Sequence, residues 1–270
     1  MAEYRIFQVD AFADRAFEGN PAAVVPLESW LPDEVLQAIA MENNLAETAY
    51  FVPKGDAYEL RWFTPSAEVP LCGHATLASA HVLYTHLGYG APAIGFDTKS
   101  GRLTVRREGA RYAMDFPTNP VKPTMALPAL EQALGAAPAM LLKGKNYFAV
   151  FEDMREVAAL RPDVALLTRF SVNAGAGVIA TAPGDATLGW DCASRFFAPH
   201  VGILEDPVTG SAHTSIVPFW AKRLKKDEIV ARQISRRGGT LFCSLNSDRG
   251  GDRVIMRGTA VDYLVGVITV

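Results

Sequence analysis

Cysteine is scarce: three residues in 270, with no Cys-x-x-Cys pair. That excludes a disulfide framework and argues against a cysteine metal site. Cys72, Cys192 and Cys243 therefore fit a reduced setting, and the cytoplasm is the expected compartment. Positive charge is not in excess either. A formal net charge of −3 and a pI near 6.0 leave no basic footprint for nucleic acid. The clusters at 222–226 and 232–237 read as solvated helix and loop charges. No apolar run approaches the roughly 20 residues of a membrane span. The opening MAEYRIFQVDAF is charged and alternating, so it reads as a strand rather than a signal peptide.

Several catalytic signatures are missing as well. There is no P-loop, no Gly-x-Ser-x-Gly elbow and no His-Glu-x-x-His. Asn173-Ala-Gly-Ala-Gly177 lacks the third glycine and following helix of a dinucleotide loop, and reads as a strand-end turn. His74, His81 and His86 are not spaced as a metal cluster, although His74 and His81 can share a helix face. No metal and no cofactor is expected.

What remains is a globular composition, 49% hydrophobic and 20% charged, long enough for one large domain or two ordinary ones. Strands are expected at 4–12, 21–25, 48–52, 58–64, 93–98, 103–107 and 111–116, with helices at 32–41 and from just after Gly73 to about Leu87. Pro117 to Pro123 reads as a linker, dividing the chain into halves at 1–117 and 118–270. Beyond it the order repeats: helices at 126–134, 153–160 and 212–224, strands at 146–151, 170–173, 177–182 and 189–197, then strands to the end. The β-rich segment from Gly258 onward can pair with either half. Such an order is α+β with mixed or antiparallel sheets, because a doubly wound sheet needs a more regular βαβ alternation.

The most informative feature is a turn used twice. Glu68-Val-Pro-Leu-Cys-Gly-His-Ala75 and Glu205-Asp-Pro-Val-Thr-Gly-Ser-Ala212 align without a gap at Glu, Pro, Gly and Ala. Trp62-Phe63-Thr64-Pro65 and Phe196-Phe197-Ala198-Pro199 precede them, and each copy runs into a helix-like segment. Gly73 and Gly210 let backbone approach a ligand, and the N–H groups that follow, with the helix dipole, attract an anion. Two such helix starts in one cleft would hold a carboxylate and stabilise charge developing beside it.

Around the turns stand groups that can carry protons. Glu47 lies between a helix and a strand among Leu45, Ala46 and Ala49, where a partly buried carboxylate can serve as general acid or base. His74 exchanges protons near neutral pH. Pro207 restricts the backbone of Asp206 and helps aim its side chain. A two-base racemase needs a thiol on each side of the substrate carbon. Cys72 has Thr209 as its counterpart, whose hydroxyl cannot fill that role, so Cys72 reads as a small buried residue.

The chain resembles the phenazine-biosynthesis PhzF-like family of the diaminopimelate epimerase fold. The resemblance is carried by Val9-Asp10-Ala11-Phe12, Phe17-Glu18-Gly19-Asn20-Pro21-Ala22, Ala46-Glu47-Thr48-Ala49, Phe63-Thr64-Pro65 through Thr76, Glu205 through His213, and Gln233-Ile-Ser-Arg-Arg-Gly-Gly239. It implies α+β architecture in two pseudo-symmetric halves, each a mixed sheet curled around a central helix, with the active site in the cleft between them. It also implies cofactor-independent isomerisation of a small carboxylate-bearing substrate by proton movement. Glu47 matches the family's acid/base, and His74, Asp206 and Ser211 match its supporting residues. Asn20, Gly73, Thr209 and Gly210 are the expected substrate-binding positions. No nucleic acid or membrane partner is implied, and a homodimer is common for the family. Two other readings stand beside this one: a binding or regulatory protein that captures a small acid or a protein partner without chemistry, and an amino-acid racemase or epimerase, which Thr209 disfavours.

Overall fold

The computed structural model describes residues 1–246 and 252–270; the part of the expected C-terminal strands at 247–251 lies outside them. The chain divides into two units, Met1–Asp115 with Arg257–Val270, and Phe116–Met256.

In the first unit, β1 (Glu3–Ala11) and β2 (Asn20–Pro26) are antiparallel neighbours. Helix α1 (Asp33–Asn43) crosses over to β3 (Glu47–Lys54), which runs parallel to β2. Then come β4 (Ala57–Phe63), antiparallel to β3, the short β5 (Glu68–Val69), and helix α2 (Gly73–His86). That helix returns the chain to β6 (Ala93–Thr98), parallel to β4, and β7 (Gly101–Glu108) and β8 (Arg111–Pro117) follow as a meander.

Local sequence explains the two helices. In α1, Asp33 and Glu34 sit in the first turn, where the helix dipole favours negative charge, and Asn44 ends the helix in the left-handed conformation. Leu36, Ile39 and Ala40 form its buried face, packed with Tyr50 and Phe63. Helix α2 has no polar face at all: His74 through Tyr84 are all buried. A helix buried all round belongs inside a core, and β1, β2, β3 and β7 pack on it. Its hydroxyls turn back on the helix, Thr76 donating to the Cys72 carbonyl at 2.5 Å and Ser79 to that of Ala75 at 2.8 Å.

The second unit repeats this order. After β9 (Lys122–Pro123) and α3 (Pro128–Leu134) come β10 (Met140–Lys143) and β11 (Tyr147–Val150), an antiparallel pair. Helices α4 (Met154–Ala159) and α5 (Val164–Ala174) cross to β12 (Val178–Pro183), parallel to β11. Antiparallel β13 (Cys192–Ala198) and short β14 (Ile203–Asp206) lead into α6 (Gly210–Leu224). That helix returns the chain to β15 (Glu228–Gln233), parallel to β13 and paired with β16 (Gly239–Leu245). Finally β17 (Arg253–Gly258) leads to β18 (Ala260–Thr269), which pairs antiparallel with β1 from Ala11↔Ala260 to Glu3↔Thr269.

Two sequence expectations need correction. Residues 170–173 are not a strand but the last part of α5, where Asp163 accepts from Leu166 N at 2.9 Å and Gly175 closes the helix at φ 57°. The segment 173–177 is consequently a helix-end turn rather than a strand-end turn. Strand β10, with only Leu141 and Leu142 buried, gave no alternation long enough to read.

Candidate active site

The first signature turn delivers His74 to Glu47. Asn20 opens β2 and Glu47 opens the parallel strand β3, whose register sets Glu47 beside Ala22. The approach to Asn20 is tightly built. Phe12, Phe17 and Gly19 all have positive φ, Asp10 accepts from Phe17 N at 2.9 Å, and a Cβ on Gly19 would come within 2.2 Å of the Ala11 carbonyl. Only glycine fits there.

Helix α2 then places His74 in its first turn, with Cys72 just before it and Gly73 as its first residue. The His74 Nδ1 lies 3.2 Å from Asn20 Nδ2 and 3.5 Å from Cys72 Sγ. On the other side of the ring, Nε2 lies 3.1 Å from Glu47 Oε2. Both of these atoms are buried and neither makes a well-aligned hydrogen bond, so the contact is one of charge.

Burial, the largest influence on His74, favours the neutral ring. Cys72 and Glu47 act against it and hold the His74 pKa well above its usual value. Burial also pushes the Cys72 thiol up.

The second signature turn is held by a residue the sequence reading assigned no role. Gln233, fully buried at the end of β15, accepts from Thr209 N at 2.9 Å. It donates to the Asp206 carbonyl at 2.7 Å and to Thr209 Oγ1 at 3.2 Å. Thr209 Oγ1 in turn donates to Asp206 Oδ2 in a short bond. Ser235 fixes the middle of the turn by donating to the Pro207 carbonyl at 2.6 Å.

From inside α6, His213 Nδ1 donates to the Thr209 carbonyl at 2.7 Å. Burial lowers the pKa of this ring to about 4, so it is neutral, and its Nε2 is buried with no partner among the described residues. Asp206 and Thr209 thus share one network, whereas Ser211 is exposed on the first turn of α6 and its side chain stands apart from that network.

Both helices begin at the glycine of the turn, Gly73 or Gly210, and neither has a side-chain cap. A Cβ on Gly210 would meet no heavy atom within 4 Å, so packing does not demand glycine there and the backbone stays open to a ligand.

The repeat also extends one residue further back than the motif suggested. Arg61 on β4 binds Glu68 through two hydrogen bonds of 2.8 and 2.9 Å, and Arg195 on β13 binds Glu205 through two of 2.7 and 2.8 Å. Each guanidinium also lies over the Phe two residues on, at 5.1 Å for Phe63 and 5.0 Å for Phe197. The Glu that opens each turn is thereby clamped to the strand before it. The signal was present in Arg61-Trp-Phe-Thr-Pro65 and Arg195-Phe-Phe-Ala-Pro199.

This duplicated α+β arrangement, a mixed sheet around a buried helix with a Gly-led turn at the helix start, is the fold of PhzF proteins and the epimerases related to them. A PhzF-family phenazine biosynthesis protein from Enterococcus faecalis is similar with a TM-score of 0.93 at 43% identity, covering 100% of both chains. A PhzC/PhzF protein from Clostridium difficile gives 0.91 at 38%, covering 99% of this chain and 100% of that one. A hydroxyproline epimerase from Agrobacterium vitis, at 10% identity and 0.59 over 98% of this chain and 92% of that one, shares the fold alone.

Residues 9–266 match the family described as phenazine biosynthesis-like protein, and the chain belongs to it. A Pseudomonas aeruginosa relative named an uncharacterized isomerase is 50% identical over 266 residues, 98% of this chain and 99% of its own. The human phenazine biosynthesis-like domain-containing protein is 39% identical over 284 residues, 94% of this chain and 98% of its own.

Proposed function

We propose that the protein is a cofactor-independent isomerase that shifts a proton on a small carboxylate-bearing substrate, with Glu47 as acid and base. The buried Glu47–His74 pair carries the reading, because a carboxylate oxygen and a ring nitrogen 3.1 Å apart without a formed hydrogen bond are costly unless a substrate completes them. Its relatives' naming as isomerases supports the same class.

In this reading Glu47 takes a proton from a carbon made acidic by an adjacent carboxylate or conjugated group. The electron pair moves along the conjugated system, and Glu47 returns the proton at a second carbon. Atoms and electrons balance without a redox partner. His74 holds the carboxylate in place. The N–H groups at Gly73–His74 and at Gly210–Ser211 are anion-holding positions. Cys72 is assigned no proton transfer: burial pushes its thiol up, and Thr209 at the equivalent position offers no second thiol, which disfavours the two-thiol racemase reading.

The test is exchange. The protein is incubated in deuterated water with candidate unsaturated or cyclic hydroxy and amino acids, and label uptake is followed by NMR. Wild type is expected to incorporate deuterium, while Glu47→Gln binds the same acid and incorporates none, a loss of at least about 100-fold. Full activity in Glu47→Gln sinks the assignment, and binding without labelling in wild type supports a non-catalytic binder.

A further inference from the structure

Away from Glu47, three metal-type donors converge in the first unit. His81 Nε2 lies 3.0 Å from one oxygen of Asp262 and His86 Nε2 lies 3.0 Å from the other. All the donor atoms fall within 4.8 Å of one another. We propose that His81, His86 and Asp262 form a binding site for a divalent late first-row transition cation such as zinc.

The geometry fits such an ion. Ligand bonds of about 2.0–2.2 Å at tetrahedral angles place donor atoms roughly 3.3–3.6 Å apart, between the 3.0 Å His–Asp262 contacts and the 4.8 Å that bounds the whole donor set. Two imidazoles and a carboxylate suit zinc and its neighbours, and leave a fourth position for water.

Each donor is also held from behind. Tyr112 Oη is 3.0 Å from His81 Nδ1 and fixes that ring, as a ligating histidine requires of its second nitrogen. Metal binding needs only the tautomer in which His81 Nδ1 carries the proton and the Tyr112 oxygen accepts it. The His86 ring packs on Phe7 with centroids 4.8 Å apart.

Asp262 is placed by an irregularity of the sheet. Between β1 and β18, Gln8 pairs with Leu264 and Val9 with Asp262, so Tyr263 is an extra residue. A bulge of this kind re-aims the neighbouring side chain. The three side chains are 10%, 20% and 32% exposed, enough to admit an ion and its water.

The experiment titrates chelator-treated full-length protein with zinc by calorimetry and with cobalt(II) by visible absorption. One ion per chain is expected, with ligand-field bands of a nitrogen/oxygen site and no sulfur-to-cobalt band, together with a zinc-dependent rise in Tm. His86→Gln and Asp262→Asn should weaken binding about 100-fold or more. Tyr112→Phe, which keeps every ligand, should weaken it about tenfold. Cys72→Ser should leave it unchanged, separating this site from the nearby Glu47, Cys72 and His74 donors. The proposal is overturned if wild type shows neither binding nor a Tm shift, or if binding survives His86→Gln and Asp262→Asn, or disappears in Cys72→Ser.

Discussion

Gln233 shows how one side chain can hold a functional turn. It satisfies the Thr209 N–H and the Asp206 carbonyl, and reaches the Thr209 hydroxyl. In Gln233→Leu the volume is nearly kept but the Thr209 N–H and the Asp206 carbonyl each lose one hydrogen bond, at about 1–3 kcal/mol each. Urea unfolding should therefore show a loss of about 2–6 kcal/mol, and an unchanged midpoint would contradict the assignment. Glu47, His74 and Asp206 were legible as candidates because motif, chemistry and local turn pattern coincide in them. Gln233 was not, since nothing in a strand-ending glutamine signals which turn, more than twenty residues upstream, it will meet. Arg61 and Arg195 were half legible: their repetition was on the page, but a charged residue on a strand reads as solvent-facing until its carboxylate is found.

Among the elements, α6 carries the clearest pH signature. In the unfolded chain His213 titrates near 6.5, while in the folded chain burial holds it to about 4. Between these values the unfolded state takes up a proton that the folded state refuses. Stability from this group is thus full above about pH 6.5 and declines as pH falls toward 4, by on the order of 3 kcal/mol. His74 has a raised pKa, so its contribution has the opposite sign: it is present below about pH 6.5 and is lost only as pH rises. His81 and His200 are also lowered, both mainly by burial, so the measurement is the difference between wild type and His213→Asn, which keeps a donor toward Thr209. The variant should show a shallower loss of Tm between pH 6.5 and 4; parallel curves would contradict the assignment. Helix α2 was readable because Gly73 and Gly88 bracket a run rich in Ala and Leu and free of internal Gly or Pro. Helix α5 was not, because Phe-Ser-Val-Asn taken alone looks like strand, and the evidence for a helix lies at Asp163 and Gly175 outside it.

For the molecule as a whole, the α+β class and the repeated element order were legible, because the two signature turns mark equivalent points in each unit. The pairing of the last strand was not. The segment from Ala260 onward is β-rich but has no local turn partner, and only the structure joins it to β1. Removing 260–270 should strip β1 of a complete ladder. Limited proteolysis of the shortened chain is then expected to consume residues 1–115 well before 116–256, whereas equal cleavage of both would contradict the strand's structural weight.

That same pairing sets an order in time. A chain leaving the ribosome usually folds from its beginning. Here β1 emerges before β18, its register partner for Ala11 is Ala260, and the whole of Phe116–Met256 is made in between. The inserted unit can close on itself while β1 still waits. Translation therefore completes the second unit first and the first unit last, and the strand carrying Asp10 toward Asn20 spends synthesis as an open edge in need of protection from other chains.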